Sequence, residues 1–471
     1  MIKYIIENSK KHPKKTFLSY QKNKYCYEEF LFQIIHSSRI LSKYKTENNR
    51  LVGLLVQNPL EFLIQWFSCN YLGLITVLFD PKINQKDLQK AVNFTKISSI
   101  ITERNKISLV KNLDLEINFI EDSAPISLCN NKIYSYDWTN HETTTIIYTS
   151  GSDSNPKPVE LSLNNFISSF NCWNYEINFT RDKIINVLPL HHIAGISAIF
   201  RGLLSGSPIL LIDSFKSKVF IKECSRYKPT IISLVPTLVY ELLKTSEGIN
   251  CLKIFRIVLI GGGPSHENIL NKCLEYKINA FVTYGMTETC SGVSGFWLLK
   301  NKNKLGSVGK PFKNIKLYVN QLKDEYSPLY IEGKIVSSGY LYDKRFNFKV
   351  NSGDYGKIDD DGYIYLKPLR NDRIVSGGEN INPLEIQETI LELSSVMKCS
   401  VIGVNDIKWG EKVIAFVVRK EKIKEHEIIN YCKKNLSSYK IPKKIYFCED
   451  IPINVMGKVN KTKLIQSVKD P

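Results

Sequence analysis

A chain of 471 residues exceeds one ordinary domain, and 43% hydrophobic with 11% aromatic residues supplies a large packed core and excludes wholesale disorder. The net charge of +18 is spread along the sequence as scattered lysines. No basic block marks a nucleic-acid surface, and the charge does no more than favour anionic small ligands. The eleven cysteines form no CxxC pair and no His/Cys cluster, which argues against a disulfide framework and a zinc site and predicts reduced, buried thiols. The stretch from Met1 to Lys15 lacks the apolar core of a signal peptide, and no apolar run reaches membrane-spanning length. The expectation is a cytoplasmic protein with no integral membrane segment.

A strand over Leu51 to Gln57, an amphipathic helix from Pro59 to about Leu72 and a strand over Leu74 to Phe79 set a rhythm that returns at Asp87 to Glu103. Strand–helix–strand alternation predicts an α/β architecture with parallel strands. It continues with strands over Ile184 to Pro189, Ile209 to Ile212, Ile231 to Val235 and Ile254 to Ile260, and with helices over Ala194 to Leu204 and Thr237 to Lys244. Beyond Tyr340 the texture changes. Asn351-Ser352-Gly353-Asp354 reads as a turn, and Asp361-Gly362 as the tip of a hairpin. Arg370 to Arg373 is a charged connector. It is followed by a helix from Pro383 to about Leu393, strands over Cys399 to Val404 and Val413 to Val418, and a helix over Glu425 to Asn435. The expected division is a large multi-layer domain, 1–370, and a small mobile α+β lid, 371–471, with a hinge at Asn371-Asp372.

Four stretches carry chemistry. Thr149-Ser150-Gly151-Ser152 through Lys157, after an apolar strand, offers hydroxyls, backbone N–H groups and a cation to phosphate oxygens. Tyr284-Gly285-Met286-Thr287-Glu288 combines an aromatic face for a purine, a hydroxyl and a carboxylate able to hold Mg²⁺. Ser352-Gly353-Asp354 presents an acceptor for ribose hydroxyls, and Gly457-Lys458 a cation near the C-terminus. Singly, each also describes an ordinary surface turn or a solvated charge.

Their order is more specific. Thr149 to Lys157, Leu188 to His192, Gly261 to Pro264, Tyr284 to Thr289, Ser352 to Asp354, Ser376 to Asn380 and Gly457-Lys458 resemble the motif series of the adenylate-forming superfamily of acyl-CoA synthetases, luciferases and peptide-synthetase adenylation domains. Leu188 to Gly195 with Arg201, Ile260 to Pro264, Tyr284 to Ser291 and Gly306 to Pro311 look most like its o-succinylbenzoate–CoA ligase branch, which serves menaquinone and phylloquinone biosynthesis. The resemblance implies ATP, Mg²⁺ and CoA as co-substrates and an aromatic dicarboxylic acid as acyl donor. It implies Lys458 bridging the attacking carboxylate and the α-phosphate, Glu288 on the metal, and Thr149, Ser150, Gly151, Ser152, Lys157 and Thr287 around phosphate. Gly262, Gly263, Tyr284, Gly285 and Asp354 fall at nucleotide-binding positions, with Gly261, Gly285 and His192 also beside the acyl group. Arg201 is a candidate partner for the ring carboxylate, and Gly378 falls in the loop that would line the pantetheine channel. Ser154, Asn155 and Pro158 depart from the usual glycine-rich, basic phosphate loop. Pro368-Leu369 replaces a Gly-Arg pair, which leaves Arg370 as the candidate nucleotide cation one position later. Two other readings stay open: another aryl- or acyl-CoA ligase, and a nucleotide-binding protein of this fold without turnover. A homo-oligomer is compatible with the sequence, and a nucleic-acid partner is not expected.

Overall fold

The computed structural model describes residues 1–42, 50–122, 135–149, 157–263, 265, 267–319, 326–368, 373–452 and 461–466. Six parallel strands form the centre of a nine-stranded sheet, in the spatial order Ala280–Met286, Ile257–Ile260, Ile231–Leu234, Ile184–Asn186, Ile209–Leu211 and Thr16–Tyr20. A seven-stranded sheet has five parallel strands, Thr143–Thr149, Ile75–Leu78, Leu51–Leu55, Ser99–Thr102 and Glu116–Phe119, with Lys157–Ser162 and Gly339–Tyr340 antiparallel at one edge.

The helix Pro59–Leu72 shows why these layers stack. Asn58 accepts from the N–H groups of Leu60 and Glu61, proline takes the first helical position, and Gly73 closes the helix at φ +83°. The helix is not the amphipathic one expected: every residue except Glu61 is buried, because it is enclosed on all sides. Trp66 donates to Thr145 of the seven-stranded sheet at 3.1 Å and packs its ring on Phe200 of the helix Ile193–Ser205. One apolar cluster accordingly runs from Leu54 and Leu78 in one sheet to Ile184, Ile231 and Phe281 in the other.

An antiparallel four-stranded sheet, Lys316–Val319, Ser327–Glu332, Lys349–Ile358 and Ile364–Pro368, carries the expected Asp361-Gly362 hairpin, with Gly362 at φ +80°. A five-stranded sheet draws all its strands from Ile374 onward; one apolar cluster of residues from Ile374 onward seats its helices Pro383–Leu391 and Glu425–Asn435, and a second joins Ile402, Ile414, Phe416 and Val418 to Ile451 and Leu464. The fold is thus α/β, with a large layered part and a smaller α+β part.

Several expectations are corrected. Asn351 to Asp354 is no inter-strand turn; it lies inside the ten-residue strand Lys349–Ile358. The strand expected from Ile254 starts at Ile257, because Ile254 caps the helix Ser246–Lys253. The strand expected over Cys399 to Val404 extends to Val396–Asp406 through its long ladder with Gly410–Arg419. All ten described cysteines are free thiols, eight of them buried. No helix among the described residues is long and apolar enough to cross a membrane.

Candidate functional site

Open α/β sheets bind ligands beyond the carboxyl ends of their strands, where the order of connection reverses. In the nine-stranded sheet that point is Ile184–Asn186, flanked on one side by Ile209–Leu211 and on the other by Ile231–Leu234. Leu188 to His192 follow directly, and Gly262-Gly263 and Thr287-Glu288 leave two further strands on the same side. These segments line one cavity of about 1250 Å³ together with Thr149, Lys157, Asp354, Arg373 and Gly377 to Asn380.

On its nucleotide side, the Tyr284 hydroxyl donates to Asp354 at 2.8 Å. Burial raises the Asp354 acid above the ordinary carboxylate range, and the Tyr284 bond and the Arg373 charge offset only part of this. Asp354 is aimed by a bulge. Gly353, at φ +78°, takes a bond from its N–H to Asn351 at 2.9 Å, and the Asp354 N–H donates to Ser352 at 3.1 Å, while Asp354 stays paired with Pro368. Gly285 is required by close packing, since a Cβ there would lie 2.1 Å from the Ser291 carbonyl oxygen.

Glu288 is 6% exposed and accepts from the Tyr340 hydroxyl at 2.9 Å. Burial raises its acid pKa against the opposing effects of Tyr340, Arg373 and Lys157. The Lys157 ammonium stands over the Tyr340 ring at 5.1 Å, so one tyrosine links the cation to the carboxylate. Thr149 donates to the Lys157 carbonyl at 3.3 Å. Among the described residues no three His, Cys, Asp or Glu side chains cluster as a metal cage. A single buried carboxylate short of positive charge fits Mg²⁺, which is commonly held by one or two carboxylates plus substrate phosphates and water.

On the opposite wall His192 Nε2 meets Glu379 Oε1 at 3.0 Å, and the His191 ring lies 4.3 Å from that of His192 with its Nε2 3.6 Å from Asp80. Burial resists charging of both histidines. For His192 the Glu379 carboxylate outweighs burial and raises the pKa; His191, beside His192 and Lys82, is held well below the usual value. The two glycine loops touch: Gly378, at φ +91°, packs so closely that a Cβ on it would lie 2.9 Å from the Gly262 carbonyl oxygen.

The cavity therefore gathers His192, Thr149, Lys157, Gly262, Gly263, Tyr284, Gly285, Thr287, Glu288, Asp354 and Gly378. Gly261 lies behind the wall, packed on Thr283. Arg201 is also not a lining residue: it is 5% exposed, its guanidinium stands 5.2 Å from the Trp173 ring and 5.9 Å from that of Phe179, and it donates to Ser233 at 3.2 Å. Burial lowers its pKa to about 10, and it has no carboxylate partner among the described residues. Ser150, Gly151, Ser152, Ser154, Asn155, Leu369, Arg370, the hinge pair Asn371-Asp372 and Lys458 lie outside the described residues. Arg373 and Tyr340 are lining residues that the motifs did not single out; the one available signal was an arginine closing the charged connector.

The model of the AMP-binding enzyme family matches residues 5–342, and that of the AMP-binding enzyme C-terminal domain matches 385–458. A 2-succinylbenzoate–CoA ligase of Bacillus pumilus is 30% identical over 464 residues, 96% of this chain and 95% of its own length. The o-succinylbenzoate-CoA synthetase of Bacillus subtilis, a double mutant bound with the product analogue OSB-NCoA, superimposes with TM-score 0.89 at 25% identity, covering 98% of each chain. The same synthetase bound with the acyl-adenylate OSB-AMP gives TM-score 0.74 at 26% identity, covering 99% of this chain and 98% of its own. As a whole, this chain superimposes more closely on the product-analogue complex than on the acyl-adenylate complex. By family model and by a full-length relative, the chain belongs to the AMP-binding enzyme family.

Proposed function

We propose that the chain is an ATP-dependent acid–thiol ligase that adenylates o-succinylbenzoate and passes the acyl group to CoA, giving o-succinylbenzoyl-CoA, AMP and pyrophosphate. The observation that carries the reading is the convergence of the Tyr284–Asp354 pair, Glu288, His192 and the touching glycine loops on one cavity, in a chain aligned end to end with ligases of that name. Residues 1–370 form the ATP- and acid-binding domain and 371–471 a lid that turns at Asn371-Asp372. The cytoplasm, where ATP and CoA are available, is its setting.

The reacting carboxylate is ionised near neutral pH, so attack on the α-phosphate needs no general base. The obstacle is the approach of two anions. Asp354 and Tyr284 fix the ribose, Thr149, Thr287 and Lys157 donate to phosphate oxygens, and Lys458 bridges the reacting groups. Glu288 would hold Mg²⁺, which would supply further neutralisation of the triphosphate. In the second half-reaction the lid turns to bring Gly377-Gly378 against Gly262-Gly263 and Glu379 against His192; the Gly378–Gly262 and His192–Glu379 contacts support this reading. The second carboxylate of the acid takes its countercharge at a distance from Arg201, which does not line the cavity but whose buried guanidinium has no described carboxylate partner.

The test is AMP release by the purified chain with CoA and o-succinylbenzoate, benzoate or a medium-chain fatty acid. A preference for either monocarboxylate overturns the substrate assignment, and no pyrophosphate exchange into ATP with any of them overturns the ligase.

A further inference from the structure

Arg373 is a cation that the ligase chemistry above leaves without a task. It precedes the strand Ile374–Ser376 and lines the cavity. One of its terminal nitrogens lies 3.7 Å from where a Cβ on Gly353 would stand, so the guanidinium sits over the bulge that aims Asp354. Its charge is felt by Asp354 on the ribose side and by Glu288 on the phosphate side. It forms no ion pair with a described carboxylate, and its Nε is buried without an acceptor among the described residues.

Buried N–H groups almost always have acceptors, and each exception points to something the protein alone does not provide. A guanidinium is planar, permanently charged and shaped for two-point contact with phosphate. Of the other described cations on the cavity wall, Lys157 is engaged with Tyr340, and Lys82 lies on the histidine side.

We infer that Arg373 is a nucleotide-binding residue whose guanidinium donates to the phosphate of AMP, between the ribose carboxylate Asp354 and Glu288. The inference rests on the ligase reading. In the arrangement described here the nucleotide is the leaving group: a C–S bond forms at the acyl carbon, the C–O bond to phosphate breaks with its electron pair going to AMP, and the thiol proton is released to solvent. Arg373 holds the charge that AMP acquires.

The test is titration of AMP and of adenosine into the full chain, wild type against Arg373→Ala and Arg373→Lys, by calorimetry. Arg373→Ala is expected to weaken AMP by about tenfold or more, the scale of one charge-assisted contact, and to leave adenosine nearly unchanged. Arg373→Lys, which keeps the charge and loses the fork, is expected to fall between. Unchanged AMP affinity in Arg373→Ala, or an equal loss for AMP and adenosine, overturns the inference while leaving the ligase intact. A wild-type chain that binds no AMP overturns both.

Discussion

Replacing Glu379 by glutamine removes the negative member of the ion pair that ties the Ser376 to Asn380 loop to His192. The contact is 3.0 Å long and its partners are partly exposed, with 36% of the His192 side chain and 25% of the Glu379 side chain accessible. An exposed pair is worth about 0–1 kcal/mol, and breaking a fully buried one costs about 3–5 kcal/mol. Here solvent screens the pair and His192 can discharge its proton once alone, so the loss is about 1–2 kcal/mol, roughly a 5–30-fold shift in the docking of the loop. Thiol transfer from preformed acyl-adenylate, measured in a single turnover, should slow by that factor, and pyrophosphate exchange should change far less.

The pH dependence has a definite sign. The Glu379 carboxylate outweighs burial and raises the His192 pKa, so the pair's contribution is fully present below the ordinary histidine value and fades as pH rises through the raised one. Burial works against the Glu379 carboxylate too, but His192 prevails and lowers its pKa, so the contribution is lost on the acid side only as pH falls through that depressed value. The ratio of wild-type to Glu379→Gln transfer rates should therefore be largest in mildly acidic solution and approach one in alkali. A ratio that stays flat from about pH 5 to 9, or equals one near pH 6, refutes the argument.

Asp354→Asn should raise the KM for ATP in pyrophosphate exchange by about tenfold or more, because a buried acceptor of charge-assisted bonds is lost. Burial raises the pKa of that acid, so the wild-type KM should also climb as pH falls through the raised value, and the variant should lack the climb. Gly378→Ala places a Cβ on a left-handed residue 2.9 Å from the Gly262 oxygen; the conformational cost alone is about 1–2 kcal/mol, and single-turnover thiol transfer should fall more than exchange. Lys440, 6% exposed, bonds Glu385 at 2.6 Å and approaches Asp87 at 3.5 Å. Lys440→Met strands these carboxylates and should lower stability by about 1–3 kcal/mol in urea unfolding, with Asp87→Asn restoring part of it.

What the sequence made legible is what depends on neighbours in the chain. The helices Pro59–Leu72 and Glu425–Asn435 match expectation end for end because their stops are local: Asn58, Pro59 and Gly73 at the first, and the Glu427 carboxylate accepting from the Lys424 N–H at the second. Strand ends depend on partners. Val396–Asp406 is as long as its ladder allows, a length no local residue encodes. The same division runs through the site. Tyr284, Glu288 and Asp354 announce themselves by motif, whereas the Tyr284–Asp354 and Tyr340–Glu288 bonds join residues 70 and 52 positions apart and had no local signature. Arg201 was legible as a charge on the helix after His192; its packing between two aromatic rings was not.

Asn351 to Asp354 shows why a correct local reading can produce the wrong element. Asn351 and Ser352 do what turn residues do, accepting from backbone N–H groups two positions on, and Gly353 takes the positive φ that the reading required. A turn between strands needs the chain to leave its sheet. Here the flanks stay paired, Val350 with Ile331 on one side and Asp354 to Ile358 with Ile364 to Pro368 on the other. Those ladders outweigh the local preference, and the turn geometry is absorbed as a bulge. Its effect is to rotate one carboxylate out of the pleat and toward the Tyr284 hydroxyl. The residues that misled the strand assignment are thus the ones that put Asp354 where a ribose could be held.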